Sequence, residues 1–183
     1  MSAVARVRRT YFDCRYGQLH VHQAIPPGGG FDEATALLCL PGARGLGSFY
    51  TALLAPLGNN RSIYAPDLPG YGASDAPPGA AGPEQWALAM ADLLDSLYQR
   101  RVDVLAYAEG AATALALKAQ RPALVRRMAW SAVLATAVSQ ARSAGVAWHE
   151  LSLAATGTEA LSSASVRAQL DDIIKFFMTD VGT

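Results

Sequence analysis

The sequence predicts an α/β protein in which a mostly parallel sheet of roughly six strands is flanked by helices. Two observations carry that prediction. Ala36 to Leu40, Arg61 to Ala65 and Val102 to Tyr107 are short runs of the kind that form strands buried in a sheet. Segments with helical spacing separate them, and strands alternating with helices pair in parallel with the helices on both faces.

The elements follow in order. Arg8 to Cys14 and Gln18 to Ile25 form a hairpin around Tyr16-Gly17, and Pro26 to Gly30 breaks the chain after it. The buried strand Ala36 to Leu40 ends in the loop Pro41-Gly42-Ala43-Arg44-Gly45. Phe49 to Leu57 reads as a short helix, Arg61 to Ala65 as the next strand, and Asp67 to Ser74 as a tight, glycine-bearing turn. Pro83 opens a helix at its first position. On it Trp86, Met90, Leu93, Leu94 and Leu97 make one apolar face. Strand Val102 to Tyr107 leads through a sharp turn into the helix Glu109 to Gln120, which Pro122 closes, and Val125 to Val133 is a further strand. Two weaker helical stretches follow. The second, Leu161 to Met178, sets Val166, Leu170, Ile173, Ile174 and Phe177 on one side. The organisation is therefore a core over residues 1–133 and a helical, cap-like or C-terminal segment over 134–183.

Composition narrows the function. Fifteen basic and fifteen acidic side chains cancel, which argues against nucleic acid and anionic membranes as partners. No stretch reaches the roughly 18 apolar residues of a membrane span, and the N-terminal arginines precede no apolar run. Cys14 and Cys39 form neither a disulfide framework nor a metal-ligand spacing. A reducing, cytoplasmic setting is expected, with no cofactor and no metal.

Three loops at the carboxyl ends of successive parallel strands would build a site: Pro41-Gly42-Ala43, Asp67 to Ser74, and Ala106-Tyr107-Ala108-Glu109-Gly110. The last has the small-x-nucleophile-x-Gly form of a nucleophile elbow. Small residues at both ends let strand and helix approach, pushing the central residue into an exposed turn. That residue is Ala108, which has no atom able to attack a carbonyl or alkyl carbon.

The chain resembles the α/β-hydrolases. LLCLPGARG (37–45), IYAPDLPGYGASD (63–75) and VDVLAYAEGAATALALKAQRP (102–122) carry the resemblance, which covers about residues 8–133. It implies attack on an ester, amide, C–C or carbon–halogen bond by the elbow nucleophile. It also implies an oxyanion hole built from the amides of Ala43 and Glu109. Gly42, Tyr107 and Trp148 are candidates to line a pocket, with packing the other reading of the two aromatic residues. The departures are equally plain. Ala108 stands where Ser, Cys or Asp is expected, and Pro41-Gly42 replaces His-Gly. The family's acid and histidine follow later strands, which the chain is expected to lack.

The remaining candidates have plainer readings. Glu109 suits the first turn of a helix, and Cys39 is a small core residue. Ser48 and Ser74 are turn formers. His149 is expected within the cap-like segment with no strand before it. His20 and His22 would share a strand face, a metal-binding arrangement lacking an evident third ligand. The reading is thus a catalytically impaired relative, a pseudoenzyme with no intact triad. It would bind a small carbonyl-bearing ligand or a protein partner, a second copy included, over an uncovered edge at Val125 to Val133. The alternative is a working hydrolase lineage represented by a truncated or Ser-to-Ala altered copy.

Overall fold

The structure is a computed structural model that describes residues 4–29, 34–42, 44–131, 142–143, 145, 147–150, 155–156, 160–161 and 163–178. Among these, seven strands form one sheet in the order β1-β2-β4-β3-β5-β6-β7. They are β1 (Arg6–Cys14), β2 (Gly17–Ile25), β3 (Leu37–Leu40), β4 (Ile63–Pro66), β5 (Val102–Tyr107), β6 (Val125–Ser131) and β7 (Ala147–Glu150). The hairpin β1–β2 is antiparallel and β2 joins β4 antiparallel, while β4, β3, β5, β6 and β7 run parallel.

The apolar runs make this sheet because every residue of β3 and β4 is buried, as two-sided coverage demands. Helices α2 (Pro83–Ser96) and α3 (Gly110–Gln120) cover one face. There Leu38, Leu40, Val104, Ala106, Met128 and Trp130 meet Met90, Leu93, Leu94 and Leu117. The alternate residues Leu37, Cys39, Leu105 and Ala129 face the other side. That side is covered by a short 3₁₀ turn (Gly47–Tyr50), α1 (Thr51–Leu57) and α4 (Ser163–Met178).

The end of the chain departs from expectation. Val125 to Ser131 is not an open edge: β7 pairs along it from Arg127 to Trp130. A seventh strand therefore comes from within the segment read as helical, because Ala147–Glu150 is too short to show a period that separates strand from helix. Helix α4 folds back onto the sheet's face. Ile173 and Phe177 are buried against Leu37, Leu54 and Ile63, with Leu170 and Ile174 partly buried beside them. The side chain of Val166, and residues 132–133, lie outside the described residues. Two cations fasten the end of α4: Arg126 donates to the Phe177 carbonyl at 3.0 Å and Arg127 to the Phe176 carbonyl at 2.7 Å. These bonds satisfy carbonyls that a helix C-terminus leaves unpaired. Arg126 also bonds Asp103, fully buried in β5, at 2.6 and 2.8 Å, and Arg61 reaches the same carboxylate at 3.2 Å.

Candidate functional site

The carboxyl ends of β3, β4 and β5 bring the three predicted loops to one end of the sheet. After β5 the chain turns at Ala108, whose φ of +47° is in the left-handed region. A non-glycine residue there is strained by about 1–2 kcal/mol. The turn is held on both sides: the Ala108 N–H donates to the Ser131 carbonyl at 2.9 Å, and its own carbonyl accepts from the Ala111 N–H at 3.1 Å.

Gly110 explains how the helix can begin so close to the sheet. A β-carbon on it would stand 2.3 Å from the Leu40 carbonyl oxygen and 2.7 Å from that of Pro41. Gly42 closes the other side. A β-carbon there would meet the Glu109 carboxylate at 3.1 Å, the Ala108 methyl at 3.3 Å and the Tyr107 carbonyl at 3.3 Å. Gly42, Tyr107, Ala108 and Glu109 therefore converge, with the Ala108 methyl half-buried among them. Tyr107 turns its ring onto Phe49, 4.7 Å between centroids. Ala43 lies outside the described residues, so the second amide expected of an oxyanion hole has no described position.

The structure does not bring Trp148 or His149 to the elbow. Both lie on β7, which is separated from β5 by β6. Trp148 stacks on Trp130 at 5.3 Å. His149, expected to have no strand before it, is itself in a strand, level with Ala129 and so with Leu105, below Ala108. Its Nε2 bonds Asp172 of α4 at 3.0 Å and its ring stacks on Phe176 at 5.2 Å. That partnership pins the imidazole to α4.

The turn after β4 is organised by a residue that sequence reading passed over. Asp67 is 4% exposed. Its Oδ1 accepts from the Gly47 N–H at 2.8 Å, and its Oδ2 from the Ala73 N–H at 3.1 Å. His20 Nδ1 lies 2.8 Å from the same Oδ2. The Ser74 hydroxyl donates to the Asp67 carbonyl at 2.8 Å and accepts from the His20 N–H at 2.9 Å. Gly72 is required here, since a β-carbon would fall 2.2 Å from Asp67 Oδ2. Ser74 is thus a turn former, as expected. The signal for the pairing was present as an aspartate directly after a buried strand, but the strand order that sets it beside His20 is not local information.

A cleft of about 440 Å³ opens at the opposite end of the sheet, lined by Asp95, Tyr98, Arg100, Arg121 and Leu124. It lies where β5 and β6 begin, whereas ligands of such sheets bind where strands end. Among the described residues no helix is long and apolar enough to cross a membrane.

Comparison with known proteins agrees with this architecture. Residues 37–180 match the sequence model of the alpha/beta hydrolase family, so the match runs well past the 8–133 of the resemblance and takes in β7 and α4. The chain is 34% identical over 80 residues to the 2-hydroxy-6-oxo-2,4-heptadienoate hydrolase of Pseudomonas putida, covering 43% of this chain and 29% of that one. The epoxide hydrolase CorEH superposes with a TM-score of 0.63 at 18% identity, over 70% of this chain and 43% of that one. The haloalkane dehalogenase DbeA from Bradyrhizobium elkani gives 0.62 at 23% identity, over 70% and 43%. The chain thus spans less than a third of the curated relative and under half of these structures. A mostly parallel sheet with a glycine-clamped turn at Ala108, and a match covering most of the length, lead to one assignment: the chain belongs to the alpha/beta hydrolase family.

Proposed function

We propose that this chain is a catalytically impaired member of its family that keeps the elbow as a binding site for a small carbonyl-bearing molecule. The observation that carries the reading is Ala108, seated at φ +47° with its methyl group where the elbow presents its central side chain. A methyl carbon has no lone pair to form a covalent or tetrahedral intermediate. The surrounding backbone supports retention of the binding half of the site. Gly42 and Gly110 leave room for close approach, and α3 begins at the elbow, so the Glu109 amide at the helix start is the expected partner for a ligand oxygen. Among the described residues, His149 supplies no base at the elbow, since it lies on β7, beyond β6 from the elbow strand, with its Nε2 bonded to Asp172.

Removing the nucleophile of a hydrolase lowers turnover on the order of 10⁶-fold, and the same deficit is expected here. The test is steady-state hydrolysis of p-nitrophenyl acetate and of 2-hydroxy-6-oxo-2,4-heptadienoate, the compound in the relative's name. The expected result is hydrolysis at background for both, with saturable binding of the dienoate followed by ligand-observed NMR. Saturable turnover at about 1 s⁻¹ or more would overturn the reading.

A further inference from the structure

The sheet carries a second cluster of chemically capable side chains, separated from the elbow strand β5 by β4 and β3. Val21 is buried, and its neighbours His20 and His22 project together from the other face of β2, their rings 4.8 Å apart and edge to face. Strand β4 runs antiparallel beside them, with His22 opposite Ala65 and Val21 opposite Pro66. That register sets Asp67 against His20, the Asp67 N–H donating to the His20 carbonyl at 2.9 Å. One ligand atom from each of His20, His22 and Asp67 lies within 4.8 Å of the other two.

We propose that His20, His22 and Asp67 form a three-ligand site for a divalent transition-metal ion, completed by solvent. Two imidazole nitrogens and one carboxylate oxygen suit zinc, nickel, cobalt and copper rather than calcium or magnesium. With bonds of about 2.0–2.2 Å, two donors on one zinc stand about 3.3 Å apart at the tetrahedral angle. His20 Nδ1 and Asp67 Oδ2, at 2.8 Å, already approach that spacing. A turn of the half-exposed His22 ring brings in the third donor. The ring meets that of His20 edge to face and is partly open to solvent, so it can rotate toward the ion without breaking the fold around it.

The carboxylate is held as an outer shell holds a metal ligand. Its two oxygens keep the Gly47 and Ala73 amides while Oδ2 turns to the ion. Binding through Nδ1 requires the His20 tautomer protonated on Nε2, so a proton on Nδ1 passes to solvent as Nε2 takes one up, with no net change at the ring. Tyr11 stands 5.2 Å from the His20 ring, and Arg9 pairs with His22 across the hairpin. Arg9 opposes a cation, but its side chain is exposed and free to swing into water.

The experiment titrates untagged full-length protein with Co²⁺, read by its visible absorption, and with Zn²⁺, read by calorimetry. The wild type should bind one ion per chain with micromolar half-saturation. His22→Gln leaves the His20–Asp67 bond in place and should weaken binding at least about tenfold, the loss expected even when a group supporting a ligand is removed. His149→Gln should bind as the wild type does. Circular dichroism verifies that each variant is folded. No saturable binding, H22Q binding equal to wild type, or a loss that follows H149Q instead would overturn the proposal.

Discussion

Replacing Gly110 by alanine adds one methyl group at the point where α3 meets the sheet. The added carbon would sit 2.3 Å from the Leu40 carbonyl oxygen and 2.9 Å from its carbon. Both are backbone atoms of β3, which pairs with β4 and β5, so neither can move aside as a flexible side chain would. The helix must shift instead, and such overpacking costs about 1–3 kcal/mol. For a domain of this size each kcal/mol lowers Tm by about 2–4 °C, so a central loss of about 2 kcal/mol corresponds to about 4–8 °C. The assay is urea denaturation with a thermal scan, and the slope against denaturant should stay unchanged. Gly28→Ala is the control, since a β-carbon there meets nothing within 4 Å. If Gly110→Ala proved as neutral as the control, α3 would not begin in contact with β3, and the elbow geometry would be wrong.

Other parts of the fold give sharper single tests. Asp103→Asn removes a fully buried negative charge that faces the Arg61 and Arg126 guanidiniums and should cost about 3–5 kcal/mol by urea denaturation, because buried Arg61 loses its facing countercharge. A loss below about 1 kcal/mol, the scale of an exposed pair, would show the cluster to be solvated. Burial raises the pKa of both thiols, far more for Cys39 than for half-buried Cys14. A thiol reagent at pH 8 should therefore leave Cys39 untouched until denaturant is added, whereas two thiols reacting at the unfolded rate would contradict its place in the core. Hydrogen bonds from Arg15, at 2.8–2.9 Å, hold the Asp92 pKa below its ordinary value. A depressed carboxylate adds stability above its unfolded pKa of about 3.9 and loses it as pH falls through the folded one. Exposure of 42% and 24% limits the pair to about 0.2–1 kcal/mol. Asp92→Asn should be less stable by that amount at pH 7 and equal to wild type near pH 2. A deficit that persists at pH 2 would refute the electrostatic origin.

Much of this fold was legible because its core elements have strong local signatures. Leu37 to Leu40 is a continuous apolar run bounded by turn residues, Pro83 marks the start of α2, and Ala106 and Gly110 bracket a turn that the structure places at positive φ. What escaped was non-local. Ala147–Glu150 has four residues, too few to declare a period, and becomes a strand because β6 offers an unpaired edge. His20 and Asp67 are 47 residues apart and meet only because β2 lies beside β4. The Arg126 and Arg127 caps on α4 depend likewise on where that helix docks. The chemistry of the elbow was legible by its missing atom, since Ala108 is as inert in three dimensions as in one.

The central claim is that the elbow holds no nucleophile, and intact-protein mass spectrometry tests it most directly. The protein is incubated with p-nitrophenyl acetate, quenched in acid, and weighed, with a peptide map to locate any acetyl group. The account predicts no stoichiometric acetyl adduct and nothing attached within Pro41–Gly42 or Tyr107–Gly110. A single acetyl-enzyme species that forms in a burst and maps beside Ala108 would contradict it.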